Sequence, residues 1–245
     1  MSKKNILVVD DIRSMRMTLG GILEDKGYNV VLAENGYQAI EAVKQISFDL
    51  IFCDIKMPGI NGVQTFREIK KIDDKAVVIM MTAYSLEDLL KEALEEGAYA
   101  TIYKPFDVDK IISVIEKVYH ERTLILVVDD QYNDRETLKA ILGDKGYRVA
   151  TAKDGPETID MIKGKHFDII FLDIRLPGMN GVETFERVKK IDPEATVIMM
   201  TGYTEEDLLK QAVSEGAYTC VQKPFNMDRL TEIVDGITKE KKSDT

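Results

Sequence analysis

The run ILVVDD at Ile6–Asp11 recurs letter for letter at Ile125–Asp130, and this recurrence decides the fold. Further along, PGINGVQTF from Pro58 returns as PGMNGVETF from Pro177. VIMMTAY from Val78 returns as VIMMTGY from Val197, and GAYATIYKPF from Gly97 as GAYTCVQKPF from Gly216. Each pair is offset by 119 residues without a gap. Solenoid units run to about 20–50 residues, so this period marks two copies of a whole domain. The expected division is 1–120 and 121–245, with a short junction near 119–123 and a tail at 239–245.

Each copy alternates short apolar runs with segments of helical periodicity. In the first, Ile6–Val9, Asn29–Ala33, Leu50–Cys53, Val77–Met81 and Thr101–Tyr103 read as strands. The third and fourth are apolar almost throughout, as parallel strands covered on both faces must be. Leu86, Leu89, Leu90, Ala93 and Leu94 share one helix face closed by Gly97, and Ile111, Val114, Ile115 and Val118 share another. Five strands alternating with five helices give an α/β fold, a doubly wound parallel sheet, twice over. In the flavodoxin-like order 2-1-3-4-5, ligands bind where the carboxyl ends of the strands meet.

Composition narrows the function. A chain of 245 residues, 44% hydrophobic and 31% charged, can build real cores. A net charge of -10 disfavours nucleic acid, whose phosphates call for a basic face. No apolar run approaches the roughly 20 residues that span a bilayer, and the apolar run after the two N-terminal lysines is too short for a secretory signal. Cys53 and Cys220 lie in or beside strand-like runs and read as core thiols, which suits a cytoplasmic location. Two cysteines and two histidines, His120 and His166, argue against structural zinc, and a surface position is expected for both histidines.

The chemistry-bearing residues gather at strand ends. Asp10 and Asp11 follow the first strand, Asp54 the third; Thr82 ends the fourth, and Lys104 ends the fifth before Pro105. The second copy supplies Asp129, Asp130, Asp173, Thr201 and Lys223. An Asp pair before a helix is by itself commonly a cap, and PGxNG by itself a turn. The conjunction, present twice, says more. Three carboxylates in one pocket repel unless a cation joins them, and a hard divalent ion such as Mg²⁺, one per copy, suits oxygen ligands. A carboxylate can attack phosphorus, and a metal with a lysine can neutralise the transferring oxygens. Thr82 could then donate its hydroxyl to a phosphoryl oxygen, and Ala83 and Gly202, next in sequence, leave room for it.

This pattern resembles the receiver domain of bacterial two-component response regulators over nearly the whole of both copies. The resemblance implies that Asp54 and Asp173 are phosphoacceptors fed by a histidine kinase or histidine phosphotransfer protein. It implies that Asp11 and Asp130 ligate Mg²⁺, with Asp10 and Asp129 nearby, and that the backbone carbonyls of Lys56 and Arg175 complete the protein ligands. Thr82 and Thr201 take the switch role, Lys104 and Lys223 the charge-pairing role, and the Lys104–Pro105 and Lys223–Pro224 bonds are cis. It also implies signalling by protein–protein contact or onward phosphotransfer, not enzymatic output beyond self-phosphorylation and autodephosphorylation. Many receivers place an aromatic three residues before the lysine; here Thr101 and Cys220 stand there, as in the single-domain receivers of sporulation-type phosphorelays, so output through an inward ring swing is not expected. Two other classes of protein share parts of this pattern. A sensory portion of a longer regulator fits the same residues. A haloacid-dehalogenase-type phosphohydrolase needs an Asp two residues after the nucleophile, where Lys56 and Arg175 stand instead.

The copies also serve as an internal comparison. Ile12, Met15, Leu86 and Ile112 pair with Gln131, Asp134, Glu205 and Thr231, so the fold does not require them to be apolar. They are expected at the surface, Ile12 and Met15 docking a histidine-bearing helix bundle, and Leu86 and Ile112, on the fourth and fifth helices, meeting the other copy or a second chain. Leu19, Leu89 and Ile115 pair with Leu138, Leu208 and Val234 and read as core. Lys56 and Arg175 are candidate covers for a phosphoryl group, against the plainer reading of solvated charge.

Overall fold

A computed structural model describes residues 3–83, 87–202, 214 and 216–240. Leu86, Glu205 and Leu208 therefore lie outside the described residues. The chain forms two compact units that divide between Glu116 and Lys117, inside the helix that closes the first repeat; the elements are grouped below by repeat.

The first unit runs β1 (Asn5–Val9), α1 (Arg13–Asp25), β2 (Asn29–Ala33), α2 (Gly36–Gln45), β3 (Leu50–Asp54), α3 (Gly62–Ile72), β4 (Val78–Thr82), α4 (Glu87–Glu95), β5 (Ala100–Tyr103) and α5 (Val108–Arg122). Its five strands are all parallel, in the order β2-β1-β3-β4-β5. The second unit repeats the plan with β6 (Leu124–Val128), α6 (Tyr132–Asp144), β7 (Arg148–Ala152), α7 (Gly155–Gly164), β8 (Ile169–Asp173), α8 (Gly181–Ile191), β9 (Thr196–Thr201), β10 (Thr219–Gln222) and α9 (Met227–Glu240). Its order, β7-β6-β8-β9-β10, is the same.

Both faces of each sheet are covered. Leu7, Val9, Ile51, Cys53 and Met80 pack with Ala39, Phe66, Ile69 and Leu90 from helices on one side of the first sheet. In the second, Leu126, Val128, Ile170 and Leu172 pack with Phe185 and Val188, while the alternate residues Ile125, Val127, Ile169 and Phe171 meet Leu138, Leu142, Leu230 and Val234. That two-sided burial is why β3, β4 and β8 are apolar without alternation. Each large aliphatic side chain so buried contributes about 1.5–3 kcal/mol.

Local signals place the helices that frame the site. Asn61 and Gln64 form a reciprocal capping box at the start of α3, as Asn180 and Glu183 do at α8. Gly59 and Gly178, in the turns before them, hold φ of 83° and 78°, a conformation that costs any residue with a Cβ. Beyond them, Gly62 and Gly181 sit so close to β3 and β8 that an added Cβ would lie 2.2 Å from Asp54 O and 2.1 Å from Asp173 O. The PGxNG turn thus seats a helix end directly against the strand end that carries an aspartate.

Several expectations need correction here. Residues 119–122, read as connecting chain, are helical: nothing in Val108–Arg122 breaks the helix, and Thr123 alone separates α5 from β6. Ile12 is exposed, but Met15 and Ile112 are half-buried, because both stand at the edge of their helix's packed face. His166 is exposed and pairs with Asp192 at 2.6 Å. His120 is largely covered: its Nδ1 lies 2.7 Å from Lys145 O, which requires that nitrogen to donate, and its ring lies 4.2 Å from that of Tyr147. Cys53 is buried, and burial pushes its thiol well up; Cys220 is half-buried and raised for the same reason.

Candidate phosphoryl-accepting site

Register brings the predicted acids together. β1 pairs with β3 so that Val9 stands beside Cys53, which sets Asp10 next to Asp54 at the carboxyl edge. β4 follows with Thr82 as its last residue, and β5 ends beside it at Tyr103, one residue before Lys104. The second unit repeats the placement of Asp129, Asp173, Thr201 and Lys223. Both Lys–Pro bonds are cis, as the resemblance implied.

In each unit one ammonium bridges two buried carboxylates. Lys104 Nζ lies 2.6 Å from Asp10 Oδ2 and 2.8 Å from Asp54 Oδ1. Asp10 Oδ2 is buried, and its ion pair with Lys104 is the contact that offsets that burial. Lys223 Nζ donates to Asp129 Oδ2 at 2.5 Å and Asp173 Oδ2 at 2.9 Å. Asp10 and Asp129 are fully buried and Asp54 and Asp173 nearly so, while Asp11 and Asp130 stand exposed at the rim. Oxygens of Asp10, Asp11 and Asp54 lie within 4.8 Å of one another, as do those of Asp129, Asp130 and Asp173. Asp11, Ile12, Asp54, Lys56, Met57, Pro58, Ala83 and Lys104 line one cleft.

The electrostatics follow from burial. Desolvation lifts the Asp54 carboxyl above the usual carboxylate range; Lys104 opposes the rise, while Asp10 and Asp11 add to it. Asp173 is raised the same way, with Asp129 adding and Lys223 opposing. Burial likewise lifts Asp129, and Asp134 contributes. Burial works to lower both lysines, yet their bonds to the acids outweigh it and each ends above its ordinary range. Both lysines thus hold their protons more firmly than a free lysine does. In each pocket at least three clustered carboxylates stand against one ammonium, and the donors are all hard oxygens. That donor set fits a divalent cation of the Mg²⁺ type.

Other residues border the acids without bonding to them. Thr82 Oγ1 donates to Ala83 O and Thr201 Oγ1 to Gly202 O, both at 2.9 Å. Lys56 and Arg175 are exposed. Thr101 is half-buried on β5. Two features escaped the sequence reading. Arg16 and Arg135 each donate an Nη1–H to the backbone carbonyl of Asp10 and Asp129, pinning the strand end from the first helix. Their identity within a segment where the copies otherwise diverge (Arg13–Met15 against Tyr132–Asp134) was the available signal. Gly62 and Gly181 are the second feature, hidden because the close backbone approach is tertiary. The bland cap reading of the Asp pair is partly met: Asp10 Oδ1 accepts from Ile12 N and Asp129 Oδ1 from Gln131 N, but neither caps its helix by a side-chain bond.

A doubly wound parallel sheet carrying an acid triad and a lysine at its carboxyl edge defines a class of α/β domain built to hold a charged group there. The family profile described as the response regulator receiver domain matches residues 6–116 and 125–235, and the chain belongs to that family, as two receiver domains in tandem. A response regulator receiver protein of Anaeromyxobacter sp. strain Fw109-5 is 29% identical over 238 residues, 97% of each chain. Sporulation initiation phosphotransferase F of Bacillus subtilis is 38% identical over 110 residues, 45% of this chain and 89% of that protein. The transcriptional regulatory protein ZraR of Klebsiella oxytoca is 44% identical over 119 residues, 48% of this chain but 27% of that one. Among the described residues no helix is long and apolar enough to cross a membrane.

Proposed function

We infer that this protein is a two-component or phosphorelay regulator that accepts phosphoryl groups on Asp54 and Asp173, one in each of the functional domains 1–120 and 121–245. The observation that carries this reading is the twice-built constellation of a nearly buried aspartate bridged to a lysine within reach of two further carboxylates. Asp10, Asp11 and Asp54, with the carbonyl of Lys56, are the residues to hold Mg²⁺ in the first site; Asp129, Asp130 and Asp173, with that of Arg175, serve the second. When bound, Mg²⁺ supplies positive charge opposite the transferring oxygens.

The residues then have distinct tasks. An Asp54 oxygen lone pair forms the new O–P bond as the P–N bond of a donor phosphohistidine breaks, the electron pair leaving on the imidazole nitrogen. Lys104 moves from Asp54 to an oxygen of the incoming group. Thr82 exchanges its bond to Ala83 O for a phosphoryl oxygen. Such a group adds about -1.5 to -2 charges, and the response passes through the Thr82 loop toward α4 and α5, where partner binding or self-association is read out. The donor is a histidine kinase or phosphotransfer protein, and the setting cytoplasmic; output by contact rather than by an enzyme activity goes with this reading.

The test uses acetyl phosphate, Mg²⁺ and intact-mass measurement. The wild type should gain two phosphoryl increments, Asp54→Asn and Asp173→Asn one each, and the double variant none. A double variant that still gains mass would remove the assignment. A second expectation concerns docking. Ile12 is 49% exposed beside the cleft, with Met15 half-buried next to it. Replacing them by the Gln and Asp found in the other domain should slow transfer from a cognate kinase about tenfold, the scale of one or two interface anchors, and leave acetyl phosphate labelling of Asp54 unchanged. Equal slowing from both donors would show that the pair acts on chemistry instead.

A further inference from the structure

The first turns of α1 and α6 differ in charge: Arg13 and Met15 on one, Tyr132 and Asp134 on the other, and of these only Asp134 is ion-paired to the pocket lysine. Met15, on the first turn of α1, has Asp134 as its counterpart on the first turn of α6. Asp134 does not face solvent alone. Its Oδ2 lies 3.4 Å from Lys223 Nζ, the same ammonium that holds Asp129 and Asp173. The second lysine is therefore shared among three carboxylates, where Lys104 meets two. Counting the rim acids, the first pocket sets three carboxylates against one ammonium, and the second sets four. Asp134 is not among the residues whose oxygens gather within 4.8 Å, so it acts through its field and through Lys223, not as a ligand.

We propose that Asp134 makes the second domain the higher-affinity site for a divalent cation, so that the two sites load at different cation concentrations. This rests on the cation reading given above. Two effects point the same way. An extra negative charge a few ångströms from the site attracts a dication by simple Coulomb energy. In addition, a cation that drew Asp129 and Asp173 away from Lys223 would leave the ammonium in need of a partner, and Asp134 already stands 3.4 Å from it. Met15 offers none. The side chain of Asp134 is 42% exposed, so solvent screens its field and the gain is moderate, about three- to tenfold in affinity. A further difference is neutral: Gln131 Nε2 donates to Asp130 Oδ2 at 3.0 Å, which orients that acid without changing the charge, whereas Ile12 cannot. Removing charge at 134 while keeping shape separates the two contributions.

The test is a Mg²⁺ titration of the full chain followed through the backbone amide shifts of each pocket, which reports the two sites separately without any phosphoryl transfer. Domain-two amides should reach half-shift at about three- to tenfold lower Mg²⁺ than those of domain one. Asp134→Asn should bring the two within about twofold, and Met15→Asp should tighten the first site toward the second. Unchanged amide dispersion elsewhere checks that each variant is folded. Equal half-shift concentrations in the wild type, or a second site unaffected by Asp134→Asn, overturns the proposal while leaving the cation reading intact. If neither pocket responds to Mg²⁺, both fall together.

Discussion

Gly62→Ala is expected to remove about 3 kcal/mol or more of stability from the first domain while leaving the second untouched. The added Cβ would lie 2.2 Å from Asp54 O and 2.8 Å from Ile55 Cα. Both are backbone atoms at and just past the end of the central strand, so no side chain can swing aside; α3 must lift off β3 or the strand end must bend. Overpacking against flexible neighbours costs about 1–3 kcal/mol, and a rigid neighbour puts the cost at the top of that range or above it. Against a domain stability of about 5–15 kcal/mol, that is a large fraction. Urea denaturation followed by circular dichroism should turn biphasic, with one transition moved to lower urea, and Gly181→Ala should move the other. Gly21→Ala serves as the contrast. It lies inside α1 with nothing within 4 Å of its added Cβ, and should stabilise the first domain by about 0.5–1 kcal/mol. A Gly62→Ala protein with a single wild-type-like transition would show that the helix end can retreat freely.

Lys104→Met carries the second large effect. It leaves Asp10 and Asp54, both buried, without the cation they share, and stripping one partner from a buried ion pair costs about 3–5 kcal/mol. The pH dependence has a definite sign. Burial already holds the folded-state pKa of Asp54 above its unfolded value, and Lys104 is the chief force pulling it back. Without the lysine the carboxyl rises further. A carboxyl with a raised folded-state pKa favours folding while protonated, so the deficit should be small near pH 4, where unfolded carboxyls titrate, and grow as pH rises through the folded-state value. Urea midpoints of the first transition across that range read this directly. Asp54→Asn in the same chain should recover much of the loss at neutral pH, and millimolar Mg²⁺ should do the same by mass action. A deficit independent of pH would mean that the lysine stem, not its charge, holds the pocket.

Much of the fold was legible because the chain states it twice. Strands read from uninterrupted apolar runs fall within a residue of those observed: Asn29–Ala33 is identical, and Leu50–Cys53 extends by one to include Asp54. The site was legible for the same reason, since acids, threonine and lysine each close a strand. What stayed hidden depends on atoms that meet only after folding. Nothing in PGxNG says that its last glycine lies on a carbonyl. Nothing in a Met-to-Asp difference says whether the acid faces solvent or a lysine 89 positions away (Asp134 to Lys223). The contact between Arg67 and the pair Glu92 and Glu96, which ties α3 to α4 in the first domain, was equally invisible until helix packing set those side chains opposite one another. Its counterpart position holds Glu186.

The hydroxyls of Thr82 and Thr201 are already spent at rest, each on the carbonyl that follows it. A phosphoryl group on the neighbouring aspartate would offer a stronger acceptor, but the hydroxyl must give up one bond to make the other. Such a trade nets little compared with a bond formed from nothing, because only the difference between two hydrogen bonds is gained. On the proposed reading, a switch built on substitution of partners would keep its resting and signalling forms close in free energy, so modest differential binding by a partner would tip the population. Reversibility is then a property of the ground state, set before any phosphoryl group arrives.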